Sequence, residues 1–367
     1  MIPGYALATW LRANGGDVRI ATYRCGSAFL QRAGWNEWVD IPVPASYSDW
    51  PGLHPYDHGL RVLGAMCAEY QPDVVIHGGE YLLGVLTSAL GASCGMIFNA
   101  EIFEDSPRNR VYAEFFATQL EACDFLIPLW PPGDGPLVAE YRRLSSKLLP
   151  PGPFAPDRSR PPGGDERGMG IRVLIANGGG IDFPERSDSY SSSSVDPRRW
   201  VTQTEEMTLA AIDGALGSSR REDRVVVASA LGAEWNESVA RRLRSEATFE
   251  VFPPSPRYYE ELHEADIVVS RAGAGFLADV EQIGAAVVVW SLEGHDEQRG
   301  NAGNLSGRRP HVFVCDDVEA VRRHVAALVS DRHRREESLA KRGTAENLGR
   351  TGRRLLEKAV RPQEEAI

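Results

Sequence analysis

The sequence predicts an α/β protein of two domains, each built on a parallel sheet. Three observations predict it. Short apolar runs alternate with helix-like segments from one end of the chain to the other, as strands joined through crossover helices do. A stretch dense in proline and glycine, LPPGPFAPDRSRPPGGDERGMG over Leu149–Gly170, interrupts that alternation. Such a composition builds neither helix nor strand and reads as a linker. The length of 367 residues suits two domains of ordinary size.

Taken in order, Met1–Leu11, MIPGYALATWL, reads as the start of an amphipathic helix. Strand-like runs follow at Val18–Tyr23, Val74–His77, Gly95–Asn99 and Phe125–Leu129. After the linker they resume at Ile171–Ala176, Arg224–Ala228, Thr248–Phe252, Ile267–Ser270, Ala286–Trp290 and Val312–Cys315. The organisation expected is an N-terminal domain over 1–150, a linker over 151–169, a C-terminal domain over 170–345, and a helix and tail over 346–367. Ser187–Ser194, SDSYSSSS, has no apolar periodicity and reads as a loop. It is either a lid that orders on substrate or a plain insertion.

Composition removes several function classes. The net charge of −11 argues against nucleic acid, where a basic face supplies most of the affinity. It also disfavours an anionic membrane surface. Arg220 with Arg221, and Arg332 with Arg334 and Arg335, read as solvated helix faces. No apolar run reaches the roughly 18 residues of a membrane span, and no basic stretch with a long apolar run follows Met1. Cys25, Cys67, Cys94, Cys123 and Cys315 are scattered with no CxxC spacing, which predicts neither a zinc site nor a disulfide framework. A reducing cytoplasm is the expected location.

The chemistry concentrates in Asp266–Asn304, DIVVSRAGAGFLADVEQIGAAVVVWSLEGHDEQRGNAGN. An apolar strand, Asp266–Ser270, leads through the Gly-rich turn Arg271–Gly275 into a helix, Phe276–Ile283. A second apolar strand, Ala286–Trp290, runs into a polar loop that ends in Glu297-Gln298 and Asn301-Ala302. A Gly-rich turn that opens a helix points backbone N–H groups outward, and the helix dipole adds positive charge, so a diphosphate fits there. Asp279, about two helical turns beyond Arg271, is in range of a ribose diol.

These residues resemble the donor-sugar half of GT-B glycosyltransferases, and most closely the branch of the N-acetylglucosaminyltransferase that makes lipid II. The resemblance rests on SRAGA at Ser270–Ala274, Asp279, Gly284, Val287–Val289, Glu297-Gln298 and Asn301-Ala302, in matching order and spacing. It implies two Rossmann-like domains with an inter-domain cleft. It also implies a donor site formed by Gly178 and Gly179 of the Asn177–Gly180 loop, Arg271, Gly273, Ala274 and Gly275 at the diphosphate. Asp279 stands at the ribose, where the family has Glu, and Glu297 and Gln298 stand at the sugar hydroxyls. His295 would touch sugar or phosphate. The plainer alternatives are a tight strand-to-helix turn at Asn177–Gly180, a salt bridge from Arg271 to Asp266, an exposed helix acid at Asp279, and a solvated loop at His295–Gln298.

The family opens on a strand and a Gly-rich turn, and this chain opens directly on a helix. Either the true start lies upstream or the first strand is lacking. Inverting transfer needs a base, expected on the first domain among Glu80, His77 and Glu101, at strand ends where open α/β sheets present ligands. The family implies no required metal ion and no cofactor. The leading expectation is an inverting transferase taking a nucleotide-sugar donor, UDP-linked by branch resemblance, to a hydroxyl or amine acceptor. A small natural product is one such acceptor, and a homodimer is one assembly open to it. A nucleotide-sugar hydrolase or epimerase, and a non-catalytic binding or partner subunit, are the alternatives.

Overall fold

Valine-rich runs bounded by acids and glycines become strands buried on both faces, as parallel sheets require. The computed structural model describes residues 2–22, 25–41, 55–78, 91–98, 120–129, 144–150, 170–177, 197–243, 249–280, 283, 285–308, 312–331 and 346–360. Most of the linker, the Ser187–Ser194 segment, Gly178, Gly179, Glu80 and Glu101 lie outside them. The chain divides into two units. One holds residues 1–28, 35–156 and 344–367, and the other 29–34 and 157–343.

The first unit contains α1 (Ile2–Ala13), β1 (Ile20–Thr22), the start of α2 (Cys25–Arg32), whose residues from Phe29 on fall in the second unit, β2 (Trp38–Asp40), α3 (Pro55–Tyr70), β3 (Val74–His77), β4 (Ser93–Phe98) and β5 (Phe125–Pro128). The second contains β6 (Arg172–Ala176), α4 (Pro197–Leu216), β7 (Arg224–Ala228), α5 (Ala233–Arg242), β8 (Phe249–Phe252), α6 (Arg257–Glu264), β9 (Ile267–Arg271), α7 (Ala274–Val280), β10 (Ala286–Trp290), α8 (Asp296–Arg308), β11 (Val312–Cys315) and α9 (Val318–Ser330). The last helix, α10 (Glu346–Val360), returns to the first unit.

The six described strands of the second unit pair parallel in the order β11-β10-β9-β6-β7-β8. The unit's first strand, β6, is therefore central. The next two strands lie on one side of it and the later three on the other. Chain direction across the sheet reverses between β6 and β9, which puts a crevice at their carboxyl ends. On one face, Val173, Ile175, Val225, Val227, Ile267, Val269 and Val288 pack under Met207, Ala211 and Ile212 of α4 and Val321, Val325 and Leu328 of α9. Helices α4 and α9 meet closely at Gly214.

Aspartates set the amino ends of the strands. Asp223, just before β7, accepts from Ile171 N at 2.7 Å and from Arg220 N at 2.6 Å. Asp266, just before β9, accepts from Arg172 N at 2.9 Å. Asp124, just before β5, accepts from Cys94 N at 2.8 Å. Each carboxylate satisfies a backbone donor that the end of a neighbouring strand would leave unpaired.

The first unit follows the same succession of elements, but its sheet is in two pieces. β1 pairs with β2, and β3-β4-β5 form a separate parallel sheet. By the order of the second unit, a first strand belongs between β1 and β3, and no described strand lies there. Among the described elements α1 is the first. The segment 346–367, expected as an appended helix and tail, joins this unit. A Cβ at Gly352 would lie 2.1 Å from the Trp10 ring of α1, and Thr351 Oγ1 donates to Pro150 O at 3.3 Å. β2 was not anticipated, because three residues between Glu37 and Ile41 are too short to show alternation.

Gly214 gives a test of the α4–α9 contact. A Cβ there would stand 2.5 Å from Arg322 O, a backbone atom. Alanine is the better helix former by about 1 kcal/mol, but the helices must part to admit it, at about 1–3 kcal/mol. Gly214→Ala is expected to lower the thermal midpoint. An unchanged or raised midpoint in calorimetry would refute the close contact.

Candidate functional site

The carboxyl ends of β6 and β9 form the polar centre of the second unit. Strand β6 runs into Asn177, which is wholly buried. Its N–H donates to Ala228 O at 3.0 Å, its carbonyl accepts from Arg271 Nη2 at 3.3 Å, and its side-chain amide lies 2.8 Å from Thr208 Oγ1. Thr208 is also 2.6 Å from Thr204 O, one turn back on α4. Ser270, near the end of β9, donates to Ala176 O at 2.6 Å. Arg271 and Ser270 thus tie β9 to β6 at the point where the strand order reverses.

The Gly-rich turn after β9 is more internally bonded than its sequence suggests. Ala272 N donates to Trp290 O at 2.8 Å, and Gly273 N donates back to Arg271 O at 2.8 Å. Asn301, fully buried in α8, donates from Nδ2 to Ala272 O at 2.9 Å. Asn301 therefore braces this turn. The amides left for an anion are those of the first turn of α7, Ala274–Phe276, which have no acceptor within the helix. Gly275 is part of that turn. A Cβ at Gly273 would meet nothing within 4 Å.

Asp279 departs from expectation. It is 0% exposed, on the face of α7 that also buries Phe276 and Val280. It does not stand on the outward face of α7. Neither carboxyl oxygen has a hydrogen-bond partner among the described residues, and the same holds for the hydroxyl of buried Tyr258. Burial raises the Asp279 carboxyl well above the ordinary range. Burial, and after it the charge of Asp279, raises the Tyr258 phenol.

The loop after β10 is held from two sides. Trp200 Nε1 donates to Glu293 O at 2.9 Å, Glu293 N donates to Gln203 Oε1 at 2.9 Å, and Arg199 pairs with Glu293 at 2.7 Å. Gln298 is buried and accepts through Oε1 from Leu292 N at 3.0 Å. His295, at the N-cap of α8, accepts through Nδ1 from Gln298 N at 3.4 Å, and its ring lies 5.4 Å from that of Trp200. Both side chains thus shape the loop itself, and the solvated-loop alternative fails at Gln298. Glu297 lies in the first turn of α8. Among the first-domain candidates, His77 is 5% exposed and faces Cys123 Sγ at 3.8 Å. Strand alternation turns it to the sheet face carrying Cys94 and Met96. That corrects its reading as a base, which must meet an acceptor hydroxyl.

The sequence reading missed Asn177 as a bonded pin, its partner Thr208, and the Trp200–Gln203 brace. The signal available was the i, i+4 pairs Thr204/Thr208 and Trp200/Thr204, which place polar side chains on one face of α4.

Residues 206–350 match the glycosyltransferase family 28 C-terminal domain. Solved structures match over almost the whole chain. Acinetobacter baumannii MurG is 14% identical, with 97% of this chain and 94% of that one covered, at a TM-score of 0.51. The chain has the GT-B fold. It resembles the MurG branch of GT-B glycosyltransferases, as Ser270–Ala302 suggested. Arabidopsis thaliana UGT89C1, solved with UDP-L-rhamnose, is 14% identical with 99% and 95% covered at 0.57. A Listeria monocytogenes protein proposed to be a UDP-N-acetylglucosamine 2-epimerase is 11% identical with 97% and 91% covered at 0.61. A search of curated proteins finds no match. Among the described residues of this GT-B chain, no helix is long and apolar enough to cross a membrane.

Burial of Asp279 has a pH consequence. A carboxyl whose folded pKa lies above its unfolded value of 3.8 binds its proton more tightly in the folded state. It therefore subtracts stability as pH rises above 3.8 towards the raised folded value. Asp279→Asn is expected to flatten this decline and to raise the ligand-free thermal midpoint at neutral pH, with no change below pH 3.8. A midpoint at neutral pH lower than that of the unsubstituted protein would show that the carboxylate has a stabilising partner.

Proposed function

We propose that this chain is an inverting glycosyltransferase that moves a sugar from a UDP-linked donor to a hydroxyl or amine of a small acceptor. The observation that carries the reading is the family 28 match over residues 206–350, which includes Arg271 and Gly273 on the β9 side of the β6–β9 crevice. Asn177 follows β6 on one side of that crevice, with Gly178 and Gly179 next in sequence, and the first turn of α7 lies on the other. Backbone N–H groups from both, with the Arg271 guanidinium, take the donor diphosphate and the charge that develops on it as the glycosidic bond breaks.

Asp279 supplies acceptors for the ribose diol. Its two buried oxygens lack described donors, and a cis-diol brings two. Buried polar groups without partners call for an explanation of this kind, and the surrounding side chains must part to admit the sugar. Gln298, whose Oε1 is held by Leu292 N, offers its amide Nε2 to the donor sugar, Glu297 is the acid assigned to the sugar hydroxyls, and His295 fixes the loop. The base that takes the acceptor proton comes from the first unit, where Glu80 and Glu101 remain the candidates. The donor enters as substrate, and the chemistry asks for no metal ion. The branch resemblance and the UDP-L-rhamnose bound by UGT89C1 support a UDP donor.

A second reading is a nucleotide-sugar epimerase or hydrolase, favoured by the likeness to the Listeria protein. Consumption of donor without any acceptor would identify it.

Calorimetric titration with UDP, dTDP and GDP tests the donor site. UDP is expected to bind. Gly273→Ala, open in the ligand-free protein, is expected to keep or slightly raise the thermal midpoint and to weaken UDP by about tenfold or more, about 1.4 kcal/mol. Equal affinity of the variant would remove the turn from the donor site.

A further inference from the structure

The scattered cysteines predicted no metal site, yet the fold gathers two of them with a histidine. His77 closes β3, Cys94 lies on β4, and Cys123 stands just before β5. They are 5%, 1% and 1% exposed. Their ligating atoms all lie within 4.8 Å of one another, and Cys123 Sγ is 3.8 Å from His77 Nε2. The cysteines are thiols. The other imidazole nitrogen, Nδ1, is buried with no partner among the described residues.

The backbone under this cluster is held firmly. Cys94 N donates to Asp124 Oδ2 at 2.8 Å, and Asp124 N donates to Cys94 O at 2.8 Å. Lys147 Nζ donates to Cys123 O at 2.9 Å and to Glu121 O at 2.6 Å. The register Val75↔Cys94 and His77↔Met96 sets His77 on the sheet face of Cys94.

We propose that His77, Cys94 and Cys123 form a buried binding site for one thiophilic d10 cation, Zn2+ or Cu+. The plain alternative is ordinary core packing, in which buried thiols act as small hydrophobes. It leaves an imidazole with one nitrogen unpartnered and the other against sulfur, and burying a polar ring on those terms is costly. Metal–sulfur and metal–nitrogen bonds of roughly 2.3 and 2.0–2.1 Å put donor atoms roughly 3.5–3.8 Å apart. The Cys123–His77 distance already matches, and the set as a whole closes by roughly 1 Å. Two thiolates and one imidazole are soft donors of the kind that select zinc or monovalent copper. Binding forms two metal–sulfur bonds and one metal–nitrogen bond and releases one proton from each thiol to the buffer. The site would cross-link the three neighbouring strands of the first unit. It is independent of the donor site and of the transferase reading.

The experiment uses the full chain, stripped of metal and reduced. It is titrated with Zn2+ against a chromophoric chelator and, without oxygen, with Cu+ against bathocuproine disulfonate. One ion per chain is expected in at least one arm, weakened by about tenfold or more in Cys94→Ala, Cys123→Ala and His77→Gln. Cys315→Ala, in the other unit, is expected to leave it unchanged. Should the cluster variants fail to fold, the unsubstituted chain still decides. Bound metal should protect Cys94 and Cys123, but not Cys315, from alkylation during a brief exposure to denaturant, read by mass spectrometry. No stoichiometric binding in either arm, equal binding by the variants, or alkylation indifferent to metal would each overturn the proposal.

Discussion

The central position of β6 constrains everything else in the second unit. It pairs with β7 on one side and β9 on the other, so both its edges and both its faces are covered. A strand so placed has no freedom in register, since a slip of one residue would turn its buried set towards the wrong layer. Asp223 and Asp266 hold its amino end from both sides, and Asn177 with Arg271 and Ser270 hold its carboxyl end. The crevice where a ligand is read in such sheets follows from the same placement. Strands on either side of β6 lead their connections away in opposite directions, and the backbone there is left without a covering helix.

In the first unit the described strands form two small parallel sheets. Helix α10 comes from the far end of the chain to pack on α1, with Trp10 set against Gly352.

Much of this was legible in the sequence. Valine-rich runs such as Ala286–Trp290 announce strands buried on both faces, and SRAGA announces a strand end and a turn. The Pro-rich segment announces a break between units. What could not be read there depends on contacts between residues distant along the chain. The pairing of Asn177 with Thr208, the inward turn of Asp279, and the meeting of His77, Cys94 and Cys123 are set by sheet order and strand parity. Spacing rules for metal ligands assume neighbours in sequence, so three residues on three different strands escape them. Short elements such as Trp38–Asp40 escape for a different reason: three residues cannot display a period.

Because α10 belongs to the first unit, the second unit is threaded through the first as an insertion. A chain made from its amino end completes the second unit while the first still lacks its closing helix. Helix α1 then waits with its Trp10 face uncovered until α10 emerges. Domains generally fold as units during synthesis. Here completion does not follow chain order: α1 precedes most of the second unit, yet finds its partner only after that unit is made.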